Sequence, residues 1–226
     1  MNTKNYFKLL KSYNLGTLLV AGLNEIYRKI WRELIRGSYA QNYEDLIIDK
    51  LIKKEQGVYL EIGGYHPTRL SNTYYFYKKG WRGTIVEPNP EVKDIFEKMR
   101  PGDKFINAGI SNKNSEMNYY RFLIPALNTF SKMEADKNVR GGHKLIGFEK
   151  VKTIEINEVV DEGIDLLSLD TEGFDEMILK AWPWKVCRPK IICVEAKGIH
   201  FLETVGYNVV ATTKNNTIFV FGKLIL

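Results

Sequence analysis

The chain has 226 residues, 44% of them hydrophobic and 27% charged, enough for one sizeable core with an appendage. Its two cysteines, Cys187 and Cys193, exclude a disulfide framework or a zinc ligand set and fit a reducing compartment. The formal net charge of +6 is uneven: residues 1–37 hold Lys4, Lys8, Lys11, Arg28, Lys29, Arg32 and Arg36 against Glu25 and Glu33. The rest is nearly neutral, which argues against a nucleic-acid-binding face.

Residues 1–37 read as a basic helical extension. Leu15 to Leu23 is too short for a membrane-spanning helix, which needs about 20 residues, and no signal-peptide cleavage site stands out. Ile26, Ile30 and Leu34, with Tyr27 and Trp31, form a stripe at helical spacing. Such a helix packs on the domain or on a second copy, with peripheral contact to an anionic membrane as the alternative. A cytoplasmic protein, resting at most on the inner face of a membrane, is the expectation.

Residues 38–226 read as one domain. Asn42 is placed to cap a helix over Tyr43 to Lys54, and Glu44 and Asp45 in its first turn suit the helix dipole. Val58 to Ile62 is an apolar run that leads through Glu61 into Gly63, Gly64, Tyr65, His66 and Pro67. Such a run reads as a buried parallel strand, with glycines that let a ligand approach the backbone. A helix capped by Ser71 follows, and Thr84 to Val86 forms a second strand. That strand ends in Glu87, an acid placed to accept from a ribose diol. Pro90 opens the next helix, and Lys104 to Asn107 is a third strand. Met117 to Phe122 reads as a candidate strand, but the rest of residues 111–150 is polar and without a period, which predicts a long substrate-covering insertion. Ile164 to Asp170 is the most strand-like run and ends in Asp170-Thr171-Glu172-Gly173. Lys190 to Val194 ends in Glu195, and Tyr207 to Thr212 with Thr217 to Phe221 predicts a closing hairpin. These elements describe an α/β chain with a doubly wound, mostly parallel sheet and a C-terminal antiparallel hairpin.

The Gly-x-Gly-x-x-Gly spacing of dinucleotide-binding dehydrogenases is absent after the first strand, and no P-loop occurs anywhere. Acids at the ends of the first two strands, with a terminal hairpin, resemble the Rossmann-like class I methyltransferase fold that binds S-adenosylmethionine. The ordered set Tyr39 to Ile47, Glu61 to Pro67, Ser71-Asn72-Thr73, Gly80 to Gly83, Glu87-Pro88-Asn89, Asp170 to Gly173 and Arg188 to Glu195 resembles the FkbM methyltransferase family across residues 38–197. That family usually has Asp where Glu61 stands and Ala where Gly64 stands, so the acid and the small residue are both kept.

The resemblance implies methyl transfer from S-adenosyl-L-methionine to a hydroxyl, on a sugar of a surface glycan or its precursor. A polyketide or other small molecule, RNA, and a non-catalytic cofactor-binding role are the alternatives. The cofactor residues expected are Glu61, Gly63, Gly64, Glu87, Asn107 and Asp170. Glu61 would reach the methionine amino group or a bridging water. Asp170, Glu172, Glu195 and His66 are the candidates for positioning or deprotonating the acceptor. Asp170, Glu172 and Glu195 could also gather Mg²⁺ or Mn²⁺. A metal is not the favoured reading, because such acids also bind an amino group or cap helices.

Overall fold

The computed structural model describes residues 37–195 and 198–222. The expected basic extension lies outside these residues apart from Gly37. Among the described residues, no helix is long and apolar enough to cross a membrane.

Helix α1 (Glu44–Ile52) precedes strands β1 (Val58–Ile62), β2 (Arg82–Val86) and β3 (Lys104–Ile106), with α2 (Tyr74–Lys78) and α3 (Lys93–Met99) between successive strands. A separate three-stranded sheet follows: β4 (Gly109–Ser111), β5 (Ser115–Phe122) and β6 (Leu145–Glu155), with α4 (Lys132–Arg140) between its last two strands. The chain then returns through β7 (Leu166–Leu169), α5 (Asp175–Ala181), β8 (Ile191–Val194), α6 (Phe201–Thr204), β9 (Tyr207–Thr212) and β10 (Thr217–Phe221).

The main sheet runs β3-β2-β1-β7-β8-β10-β9. Its first five strands are mutually parallel, and β10 is antiparallel to both β8 and β9. The order turns back between β1 and β7, which opens a crevice at their carboxyl ends, where open α/β sheets bind ligands. Alternation along the strands divides the core. Leu60, Ile62, Leu167, Leu169, Ile192 and Val194 pack with Ile178, Leu179 and Trp182 on one face. Tyr59, Ile85, Leu166 and Cys193 pack with Ile48, Phe76, Trp81 and Phe96 on the other.

Two expectations change. Asn42 does not cap α1: the cap position belongs to Tyr43 at φ 67°, without a side-chain cap bond. The two acids of that helix do more than suit its dipole. Asp45 accepts from the Ser38 hydroxyl at 2.6 Å and the Tyr39 amide at 2.6 Å. Glu44 Oε1 accepts from Thr213 Oγ1 at 2.7 Å and Asn216 Nδ2 at 3.0 Å, tying α1 to the closing hairpin.

The insertion is also not an open loop. Its β5 and β6 pair over nearly the whole length of β5, aided by Tyr120 against Phe148 and by the Arg121–Glu149 ion pair at 2.6 Å. Ser131 caps α4 by accepting the Glu134 amide at 3.2 Å.

Candidate active site

The carboxyl ends of β1, β2, β7 and β8 open into a cavity of about 270 Å³. Residues from the insertion, among them Tyr119, Asn128 and Thr129, complete its wall. Among the described residues, the charged ones lining it are all acidic: Glu87, Asp170, Glu172 and Glu195.

Glu87 follows β2 and is 6% exposed. Its Oε1 accepts the Asn89 amide at 2.7 Å, and Oε2 accepts no hydrogen bond among the described residues. Burial, with the Glu61 charge adding to it, lifts the carboxyl to about 7 despite the Asn89 amide.

Asp170 follows β7, Glu172 lies two residues on, and Glu195 follows β8. One oxygen of each falls within 4.8 Å of the others. Asp170 lines the cavity as an exposed residue. Desolvation by the protein around it, then Glu195 and Glu172, hold its carboxyl well above the usual range. Burial raises Glu172 to about 7, with Glu195, Asp175 and Glu134 adding to the shift and Lys137 opposing it.

Gly63 lines the cavity at φ 89°. A Cβ there would overlap the carbonyl oxygen of Asp170, so the glycine is what lets the ends of β1 and β7 close together. Gly63→Ala is expected to cost about 2 kcal/mol or more, read as a lower midpoint of thermal unfolding.

Other expected site residues are placed differently. Glu61 does not line the cavity. It shares the face of β1 that carries Tyr59, where its carboxylate accepts from Arg100 Nη1 at 3.1 Å, Thr73 Oγ1 at 2.6 Å and Ser71 Oγ at 3.2 Å. Strand alternation turns it from the crevice that Ile62 faces. Gly64 is also outside the lining, and its small size makes room for Ile85 and Phe96. Asn107 braces the β2 loop by donating from Nδ2 to the Glu87 carbonyl at 2.8 Å. His66 Nδ1 accepts the Thr68 and Arg69 amides at 3.1 and 3.2 Å, so that nitrogen holds a turn and is not available to act as a base at the cavity.

Three features escaped the sequence. Asn128 is 7% exposed, and its Oδ1 accepts the Phe122 amide at 2.8 Å. This leaves Nδ2 buried with no hydrogen-bond partner among the described residues. Asn215 Nδ2 donates to Gln41 Oε1 at 3.1 Å, joining the closing hairpin to the segment before α1 at the cavity rim. Arg100, with its side chain 0% exposed, underpins β1. No periodic signal marks Asn128. The turn residues Lys214-Asn215-Asn216 did mark the hairpin, but not its contact.

A family model for the methyltransferase FkbM domain matches residues 61–214. No curated relative matches the sequence. Three solved structures resemble the chain at low identity. A methyltransferase from Geobacter sulfurreducens is 10% identical with TM-score 0.45, over 99% of this chain and 98% of that one. Precorrin-6y C5,15-methyltransferase from Geobacter metallireducens is 15% identical with TM-score 0.44, over 80% and 88%. The 1,6-didemethyltoxoflavin-N1-methyltransferase from Burkholderia thailandensis, solved with S-adenosylhomocysteine, is 12% identical with TM-score 0.43, over 93% and 92%. The strand order is that of the Rossmann-like class I methyltransferase fold expected from the sequence. With a family match spanning most of its length, the chain belongs to the FkbM methyltransferase family.

Proposed function

We propose that this methyltransferase uses S-adenosylmethionine to methylate a hydroxyl, on a sugar of a surface glycan or its precursor. The observation that carries the reading is a cavity whose charged lining, among the described residues, is acidic, with a Glu87 oxygen at β2 that accepts no hydrogen bond from them and three clustered carboxylates at β7 and β8. Oε2 of Glu87 suits a ribose hydroxyl, and the orphaned Asn128 Nδ2 suits an acceptor atom of the nucleoside. The acids beyond β1 suit the positive charges of the methionine end.

The cofactor supplies an electrophilic methyl group on a sulfonium. What remains for the chain is to align a hydroxyl with it at roughly 3–3.5 Å and to remove the proton. Glu172 is suited to take that proton, because a base works best with a pKa near the operating pH. Asp170 and Glu195 lie beside it, with one oxygen of each acid within 4.8 Å of the others.

Calorimetry with S-adenosylhomocysteine tests the cofactor claim. Wild type is expected to bind, and Glu87→Ala to bind about 10–100-fold more weakly, as expected for loss of a charged hydrogen bond. No binding by wild type would defeat the reading. Turnover is checked by a one-methyl mass gain on candidate glycan precursors.

The mutual approach of the three carboxylates supports a second reading, in which Mg²⁺ or Mn²⁺ polarises the acceptor hydroxyl. Activity lost in EDTA and restored by Mg²⁺ would select it.

A further inference from the structure

Resting on the proposed role of Glu172, we infer that Thr129 is a positioning residue. Its hydroxyl holds Glu172 in the backbone conformation that delivers this carboxylate to Asp170 and Glu195. Glu172 lies at φ 51°, the left-handed region, which costs a non-glycine residue about 1 kcal/mol or more and persists only when its surroundings enforce it.

The enforcing contact comes from the insertion. Thr129 Oγ1 donates to the Glu172 carbonyl at 2.8 Å and accepts the Ser131 amide at 2.8 Å. Thr129 is itself 1% exposed. Its backbone exchanges hydrogen bonds with Tyr120 of β5, at 2.8 Å from the Tyr120 amide and 3.2 Å to the Tyr120 carbonyl. The hydroxyl is therefore fixed by the second sheet. One residue further on, Gly173 lies so close to Ser131 and Glu134 that a Cβ would meet them at 3.4 and 3.1 Å. The acid-bearing loop thus lies directly against the start of α4, with Thr129 as its hydrogen-bonded point of attachment. The insertion then shapes the catalytic loop as well as covering the cavity.

Thr129→Val keeps the size and branching and deletes both hydroxyl bonds. Its kcat is expected to fall roughly 10–100-fold, the scale of a small misplacement of a reacting group. KM for S-adenosylmethionine and affinity for S-adenosylhomocysteine should stay within about threefold of wild type, and Thr129→Ser should restore kcat to within about threefold. In a Glu172→Gln background, Thr129→Val should have no further effect on kcat, because it acts through Glu172. Thr129→Ala, which also lacks the hydroxyl, replaces the valine variant if that protein does not melt cooperatively. A hydroxyl-less variant with wild-type kcat, or a loss fully additive with Glu172→Gln, would overturn the inference. Should Glu172→Gln alone retain wild-type turnover, the role of Glu172 fails and this inference with it.

Discussion

Glu172→Gln is expected to lower kcat by about 10²–10⁴-fold, the usual contribution of a positioned base, with little change in affinity for S-adenosylhomocysteine. The glutamine keeps the shape of the side chain and cannot accept the acceptor's proton. In wild type, kcat should rise with pH through about 7, because Glu172 must be ionised to act and its carboxyl is lifted to about 7. That limb should vanish in the variant. Stability should move the other way. The folded protein keeps the Glu172 proton to about 7, while the unfolded chain loses it near the ordinary glutamate value of 4.5. Folding therefore takes up a proton between these values, and stability falls as pH rises across that window. Glu172→Gln removes the penalty, so its melting temperature should exceed that of wild type at pH 8 and match it near pH 4.5. A gain of about 1–2 kcal/mol is expected after allowing for the partial exposure of the side chain. Lower activity with higher stability would be the signature of a strained functional group. Lower activity with lower stability would make Glu172 a structural residue.

The parts of the fold that could be read from sequence are those whose residues answer to local rules. The apolar runs at β1, β2, β7 and β8, the acids that end them and the closing hairpin each carry their own periodicity. Their order alone determined the architecture. Beyond the strand at Met117 to Phe122, the insertion could not be read in the same way. Most of β6 packs on β5 without a buried face, with Phe148 63% exposed, and α4 buries only Ala135. No period marks elements held mainly by pairing and capping.

Within the site, Glu87 and the cluster of Asp170, Glu172 and Glu195 were legible because chain direction puts strand ends at one edge. Which way a side chain turns at that edge was not. Glu61 and Glu87 look alike in sequence, as acids at strand ends, yet one is buried beneath the sheet and the other lines the cavity. Alternation along β1 turns Glu61 to the other face, and there it is held by Arg100, distant in sequence, whose burial no local rule marks.

Arg100→Met is accordingly expected to cost about 3–5 kcal/mol, because breaking a buried ion pair leaves its partners uncompensated. For a domain of this size that lowers the melting temperature by roughly 6–20 °C. The guanidinium bonds Glu61 Oε2 at 3.1 Å and Asp103 Oδ2 at 2.7 Å, and it also donates to the Tyr59 hydroxyl at 2.8 Å and Thr73 Oγ1 at 2.9 Å. Methionine fills much of the space and satisfies none of these acceptors. Adding Glu61→Gln and Asp103→Asn should therefore recover part of the loss, which pure loss of packing would not allow. The same substitutions separate the two acids. Glu61→Gln alone should lower the melting temperature yet leave affinity for S-adenosylhomocysteine, measured well below the unfolding transition, unchanged. Glu87→Ala should weaken that affinity. If Glu61→Gln weakened binding as much as Glu87→Ala in a folded protein, the carboxylate would have to reach the cofactor, and the anchoring role derived from Arg100 would be wrong.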